Sequence, residues 1–336
     1  MLLKEHIDMA RSEKNLTAVF TDTASAIRAK TGITETICPL DFADKINAIE
    51  TGGTGGGMKE FLEAGGCLGY SVLKSFDGFI KYSDTENITD FSNMFISCSL
   101  LKIAPNIDTS KATSMRSMFE NCIDMTSIPE LNTSNVTNMY KMFNSCSSLT
   151  AIPKLDTSKV RAMGNMFRSC YSLTSIPNLN TSNVESMDYM FSNCDILSDV
   201  PQLDTSNVTN MTGMFNNCGN ITSLPLLNTS KVKSMRNMLG GCQKLTEIPA
   251  FDCSNCNDLN GFMLYANAVT AIHLRNIKVN LDISSPKNLT REAIVEVLNN
   301  LSTVTETNKL TMGSANLAKL TDEDKAIATN KGWILA

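Results

Sequence analysis

Histidine and tryptophan are nearly absent from this sequence, which has two histidines and one tryptophan in 336 residues. His6 and His273 lie far apart in the chain, so neither a histidine-based metal site nor a histidine-activated nucleophile is predicted. A run of about 18 apolar residues, the length needed for a membrane-spanning helix, is also missing. The charged start MLLKEHIDMARSEKN lacks a continuous apolar core, so we expect neither a secretory signal nor a membrane partner.

An excess of positive charge is lacking as well. Lysine and arginine total 29 against 34 aspartates and glutamates, and the net charge is −5. Nucleic-acid binders carry a concentrated basic face, so we predict no nucleic-acid partner. The chain has 11 cysteines, but a core of this size does not need the disulfide framework of a small secreted domain.

What the sequence has in abundance is one 24-residue unit, repeated eight times between Asp84 and Arg275. The unit reads D/N-T-S-x-V-x-x-M-x-x-M-F-x-x-C-x-x-L-T-x-I/V/L-P-x-L, and we number its positions 1 to 24. A fixed period in this range is the signature of a solenoid. The cysteines at position 15 form a column that we predict to be small buried hydrophobes: Cys98, Cys122, Cys146, Cys170, Cys194, Cys218 and Cys242.

Each unit is predicted to be one coil with two different sides. In the coil that begins at Asn132, apolar residues at positions 5, 8, 11, 12 and 15 suit one face of a short helical segment. The residues around Pro153 have strand-like spacing. Stacking on the next coil would bury both apolar faces. The predicted fold class is therefore an α/β repeat solenoid of about eight coils, with a small helical N-terminal domain and an α/β C-terminal cap.

The composition divides the chain into five parts. A helical attachment domain is followed by a glycine-rich linker that has no phosphate-loop motif, an N-terminal cap, the solenoid and a C-terminal cap. The short N-terminal helices would not hold together alone, so docking on another subunit or formation of a homo-oligomer is expected. The boundaries are 1–50, 51–57, 58–83, 84–275 and 276–336.

The C-terminal cap contains clear helix signals. Thr290 is a predicted N-cap for a helix that runs to Leu301, and Thr321 with Asp324 resembles a capping box. Gly332 should end the second helix. Trp333, the one tryptophan, is predicted to be buried there.

The repeat unit resembles that of the BspA-like leucine-rich-repeat surface proteins, a bacterial and mycoplasmal family. The six units in Asp108–Phe251 match the family unit almost residue for residue. This resemblance implies an extended leucine-rich-repeat fold, a surface location, a role in adhesion or partner recognition, and no catalysis.

A second resemblance concerns the N-terminus. Ala26–Gly32 and Pro39–Ala43 resemble an element of tail, baseplate and fibre proteins from phages and prophages of Gram-positive bacteria, and the segment after the repeats resembles such proteins too. This implies a virion protein whose residues 1–50 attach to other tail proteins. The alternative is a bacterial cell-surface adhesin. An adhesin must be exported, and the lack of a signal peptide or anchor motif favours the virion interpretation at this stage.

A binding surface should use positions that vary between coils. Positions 9, 10, 13 and 16 vary, and we predict that 9, 13 and 16 share a helix face opposite the buried stripe. Tyrosine beside charged residues can stack on sugar rings and bond their hydroxyls, which suggests a polysaccharide or protein of the host cell surface as partner. Alternatively, these positions are solvated and free to vary. The predicted binding residues are Arg116, Tyr140, Lys141, Arg168, Tyr171, Asp188, Tyr189 and Arg236.

No catalytic residue, cofactor or metal site is predicted. Cys253 and Cys256 have the spacing of half a zinc site, but no second pair or nearby histidine completes the ligands. Both cysteines fall in apolar or threonine columns of the last, degraded coil, so we expect them to be buried packing residues.

Overall fold

The structure is a computed structural model that describes Leu68, Gly69, Ile80 and residues 82–305 and 307–336. The predicted helical domain 1–50, the linker 51–57 and most of the predicted cap 58–83 lie outside the described residues.

Successive coils are joined by parallel bridges between residues at position 7. This ladder runs through eight coils, from Asp90 to Asp258. Near the end of the repeats, positions 20 and 21 form two short strands, β1 (Glu247–Ile248) and β2 (Ala271–Ile272), which pair in parallel. Each coil therefore lies directly on the one before it, and the chain is a solenoid, as its period predicts.

The predicted helical side of the coil is wrong. It is a run of tight turns, in which Lys141 at position 10 and Ser145 at position 14 have positive φ angles of 59° and 61°. A right-handed α-helix needs a φ near −63° at each residue, so residues with positive φ interrupt it. The helix face predicted for positions 9, 13 and 16 does not exist for the same reason.

The hydrogen bonds explain why turns replace a helix. N–H groups at every second position donate to carbonyls of the next coil; that of Met139 donates to Ala162 at 2.9 Å. The N–H groups between them close turns within the coil, as from Met142 to the carbonyl of Met139 at 3.1 Å. An α-helix would use all of these N–H groups itself.

The sequence does contain a signal for these turns. Asparagine, glycine and serine, which tolerate or favour turn conformations, dominate the two positions with positive φ. The residues at position 10 are Asn93, Ser117, Lys141, Asn165, Tyr189, Gly213, Asn237 and Gly261. Those at position 14 are Ser97, Asn121, Ser145, Ser169, Asn193, Asn217, Gly241 and Tyr265.

The core is a set of columns that run along the rod. The most regular is a phenylalanine ladder at position 12, whose successive rings are 5.4–5.9 Å apart between centroids and within 12° of parallel. All of these rings are fully buried. The ladder consists of Phe95, Phe119, Phe143, Phe167, Phe191 and Phe215.

The C-terminal segment covers the last coil with three strands and three helices. The elements are β3 (Leu281–Asp282), α1 (Arg291–Asn300), β4 (Asn308–Thr311), α2 (Gly313–Leu317), α3 (Asp322–Thr329) and β5 (Trp333–Leu335). The strands form a parallel sheet in the order β3-β4-β5. Helix α1 packs on β2 and on α3, and α3 packs on β5.

The predicted helix starts in this segment are confirmed. The Thr290 side chain accepts the N–H of Ala293 at 3.2 Å, and Thr321 with Asp324 forms a capping box. Trp333 is 2% exposed, and its Nε1–H donates to the carbonyl of Ser302 at 2.8 Å. Within 82–305 and 307–336, no helix is long and apolar enough to cross a membrane.

His273 connects the last coil to the C-terminal segment. Its Nδ1 lies 2.7 Å from a carboxylate oxygen of Glu296 in α1, and its Nε2 lies 3.2 Å from one of Glu247 in β1. The histidine therefore links β1 to α1, the helix that packs on the neighbouring strand β2, which is a structural role.

Candidate functional site

The structure brings three of the predicted binding residues together in a first tyrosine cluster. The guanidinium carbon of Arg116 lies 5.4 Å from the ring centroid of Tyr140, and Lys141 Nζ lies 5.8 Å from it. Lys141 Nζ is also 3.2 Å from Glu120 Oε1, which accepts a 2.9 Å hydrogen bond from Asn144 Nδ2. Two cations from neighbouring coils thus hold one tyrosine ring.

Three more predicted residues form a second tyrosine cluster, two coils further along the rod. The guanidinium carbon of Arg168 lies 5.1 Å from the ring centroid of Tyr189. The same ring lies over Gly213, where a β-carbon would collide with it. Asp188 sits beside them and accepts a 2.9 Å hydrogen bond from Asn165 Nδ2. Gly213 is therefore needed both for its positive φ of 59° and for the space it leaves.

The other two predicted residues stand apart from these clusters. Tyr171 is 46% exposed and has no ring contact, ion pair or hydrogen bond with any other described side chain. Arg236 is exposed, and its guanidinium lies 4.0 Å from Asp258 at the far end of the rod.

Cation–ring contacts change what the tyrosines offer to a partner. A cation within about 6 Å of the ring centroid is attracted to the ring face. Tyr140 and Tyr189 each have such a cation from their own chain, and Tyr189 also packs on Gly213. Each cluster therefore presents ring edges, hydroxyls and guanidinium groups, rather than a bare ring face.

The cysteine column is sealed inside the rod. From Cys122 to Cys242 each thiol donates to the backbone carbonyl of the phenylalanine in the preceding coil, as from Cys146 Sγ to Phe119 O at 3.0 Å. The thiol of Cys98 donates to the carbonyl of Leu68 at 3.2 Å. Burial raises the pKa of Cys170 and of Cys242 to about 12. Thiols in this state are neutral at physiological pH and unreactive. Burial also raises the pKa of Cys122, Cys146, Cys194 and Cys218.

Cys253 and Cys256 are also fully buried, at positions 2 and 5 of the last coil. Burial raises the pKa of both thiols. Among the residues that the structure describes, no three histidine, cysteine or acidic side chains are arranged to hold a metal ion.

A groove of about 610 Å³ crosses three coils on another side of the rod. Its walls come from the exposed side chains at position 23 of one unit and at position 1 of the next. Position 24, which lies between these two, and position 2, which follows them, are buried. No backbone hydrogen bond joins 130–133 to 154–157. The outward-facing residues of this column groove are Glu130, Asn132, Lys154, Asp156, Asn178 and Asn180.

The column groove was not predicted, because no single residue type marks it in the sequence. The groove arises where neighbouring coils lack the backbone bonds that join them elsewhere. The one available signal was the regular alternation of aspartate and asparagine at position 1.

Comparison with protein families finds matches to one described as "Mycoplasma protein of unknown function, DUF285". The matched residues are 70–175, 113–224 and 174–277, which together span more than half of the chain. Comparison with curated proteins found no match.

Two solved structures are among those that resemble the chain. The plant peptide hormone receptor RGFR1 in complex with RGF2 is 15% identical over 76% of this chain, with a TM-score of 0.31, and the match spans 46% of the receptor chain. A leucine-rich cell surface protein from Faecalibacterium prausnitzii is 16% identical over 68% of this chain and 78% of its own, with a TM-score of 0.27. Both similarities are weak.

Proposed function

The chain belongs to the family described as Mycoplasma protein of unknown function, DUF285, and we propose that it is a non-catalytic recognition protein whose solenoid binds a partner at a bacterial cell surface. The partner would be a polysaccharide or a protein of another cell. The resemblance of the repeat unit to that of BspA-like surface proteins supports the surface location.

The observation that carries this proposal is the pair of tyrosine clusters. The buried columns repeat almost unchanged from coil to coil, whereas the turn side changes and carries Tyr, Arg and acidic side chains in the coils that form the two clusters. Tyrosine and arginine are, with tryptophan, the residues that are enriched at interaction hot spots. Cation–ring contacts and the Lys141–Glu120 ion pair hold these side chains in place, so less freedom would be lost on binding.

A virion component is the second candidate. It rests on the N-terminal resemblance, whose residues lie outside the described part of the chain, so attachment of residues 1–50 to other tail proteins stays a prediction, as does a homo-oligomer. In that setting the same turn side of the solenoid would contact the host cell, and the protein would reside in the phage tail.

We expect alanine substitutions in the clusters to weaken cell binding strongly. Replacing Arg116, Tyr140, Arg168 and Tyr189 with alanine should weaken binding of the labelled full-length chain to intact bacterial or host epithelial cells by more than tenfold. The reason is that hot-spot residues contribute about 2 kcal/mol or more each. Flow cytometry over a concentration series would measure the change, and circular dichroism would check folding.

The matched control is Glu185→Ala with Lys233→Ala. Both residues are exposed at position 6, away from the clusters, and their removal leaves the net charge unchanged. Unaltered cell binding by the folded four-residue variant, or an equal loss in the control, would show that the clusters do not form the recognition surface.

A further inference from the structure

The column groove offers hydrogen-bonding atoms that are already held in position. Asn132 Oδ1 accepts the N–H of Ser134 at 3.1 Å, and Asp156 Oδ1 accepts the N–H of Ser158 at 3.0 Å. Asn180 makes the same local turn. Because one terminal oxygen of each side chain is fixed, the other terminal atom has a defined direction. The amide nitrogens of Asn132 and Asn180 have no partner among the described residues, whereas the carboxylate of Asp156 also accepts a hydrogen bond from the Ser158 side chain. The groove thus presents an amide donor, a carboxylate acceptor and a second amide donor in successive coils.

This donor and acceptor pattern belongs to a longer alternation. Aspartate and asparagine alternate strictly at position 1 over seven coils, which keeps like charges two coils apart and so reduces their repulsion. Hydrogen bonds from Ser158 lower the pKa of Asp156, so the central carboxylate is ionised at neutral pH. The series is Asp108, Asn132, Asp156, Asn180, Asp204, Asn228 and Asp252.

The lining of the groove also contains a hydroxyl without a partner. Thr133 lines the groove and is 2% exposed, and its Oγ1 has no hydrogen-bond partner in the described part of the chain. The equivalent hydroxyl of Thr157 donates to the carbonyl of Asn180 at 2.8 Å and closes the next junction. Beyond this point Gln202 Nε2 donates to the carbonyl of Leu226 at 3.0 Å and bridges the coils. The junction between 130–133 and 154–157 therefore lacks this hydrogen bond, whereas the junction between 154–157 and 178–180 is closed by it. The buried hydroxyl of Thr109, one coil earlier, is unpaired in the same way among the described residues.

We propose that the column groove binds a linear glycan of β-1,4-linked pyranose rings, lying parallel to the rod axis. Ring hydroxyls both donate and accept hydrogen bonds, which suits alternating amides and carboxylates. Coils are 5.4–5.9 Å apart at the phenylalanine ladder, which allows one ring for each coil. Successive rings in such a chain are turned over, so the same edge recurs at every second ring, as aspartate recurs at every second coil.

Other linear polymers fit the groove less well. Glu130 and Asp156 would repel the phosphates of a nucleic acid. Proline-rich peptides dock in grooves lined by aromatic side chains, and none of the groove-lining residues is aromatic. The glycan site uses columns of the coil other than those of the tyrosine clusters, so it stands independently of the proposed function.

Calorimetric titration of the full-length chain would test this site. The probes are hexasaccharides of β-1,4-linked N-acetylglucosamine and of β-1,4-linked glucose. Asp156→Asn keeps the local turn but replaces the carboxylate acceptor with a donor. It should weaken binding about tenfold or more, as expected for the loss of a hydrogen bond to a charged group. Asp204→Asn makes the same change in the same column outside the groove lining, and binding should stay at the level of the unaltered chain.

Three results would overturn the site. The first is that neither hexasaccharide binds at concentrations up to about 1 mM. The second is that Asp156→Asn and Asp204→Asn weaken binding equally. The third is that an α-1,6-linked glucan or oligoproline binds as tightly as the hexasaccharides do. Tyr140→Ala with Tyr189→Ala should leave hexasaccharide affinity unchanged. Loss of cell binding in that variant with intact hexasaccharide binding would separate the two surfaces.

Discussion

Raising the pH from 9.0, the ordinary pKa of a thiol, toward 12 is expected to unfold the solenoid. Burial raises the pKa of Cys170 and Cys242 to about 12, and it also raises the pKa of Cys122, Cys146, Cys194 and Cys218. The pKa of these thiols is higher in the folded chain than in the unfolded chain. They therefore contribute a stability that is fully present below pH 9.0 and is lost as the pH rises through the pKa of the folded chain. Each thiol that ionises only in the unfolded chain should cost about 1.4 kcal/mol per pH unit.

The measurement is the free energy of urea unfolding, followed by circular dichroism between about pH 8 and pH 11. The control is a variant with Cys146, Cys170 and Cys194 replaced by alanine. Alanine cannot ionise, so this variant should start from a lower stability but lose it less steeply with pH. Tyrosine and lysine titration is common to both chains. Equal slopes would mean that the column thiols do not stay protonated in the folded chain.

Replacing Phe167 with alanine should destabilise the rod by about 3 to 5 kcal/mol. The ring is fully buried, and its centroid lies 5.7 Å from the ring centroids of both Phe143 and Phe191. Its removal takes away burial and stacking contacts on two sides at once. Thermal or urea unfolding of the full-length chain would measure the loss.

Tyr171 supplies the matched control for this substitution. It is an aromatic residue of the same coil, but it is 46% exposed. Tyr171→Ala should change the free energy of unfolding by about 0.5 kcal/mol or less, as is usual for surface positions. A Phe167→Ala effect no larger than that of Tyr171→Ala would contradict the buried ladder.

The repeat period and the inward positions could be predicted from the sequence. Val136, Met139, Phe143 and Cys146 are all fully buried, as their spacing indicates. The helical interpretation was wrong because spacings of three and four residues suit a helix and a run of tight turns alike. Asparagine and glycine at positions 10 and 14 distinguish the two, since they favour the left-handed conformation.

Local signals in the C-terminal segment were equally informative. Thr290 and the pair Thr321 and Asp324 are helix caps, and a cap depends on only a few neighbouring residues. Strand β5 and helix α2 were not predicted. Both are very short, and β5 is held by pairing with β4, which is distant in sequence.

The surface was only partly predictable. Variation between coils identified Tyr140 and Tyr189, but the cations placed over their rings come from residues such as Arg116 and Arg168, one coil earlier. Such pairs depend on how the coils are stacked. The column groove depends on backbone bonds that are not made between coils, and a single sequence contains no direct record of those.

Labelling with iodoacetamide at neutral pH, mapped to each cysteine by mass spectrometry, tests most directly that stacked coils seal the core. In the native chain, Cys122, Cys146, Cys170, Cys194, Cys218 and Cys242 should stay unmodified, because each is fully buried and is protonated. In urea all six should react. Labelling of these six thiols in the native chain at the rate seen in urea would contradict the stacked solenoid.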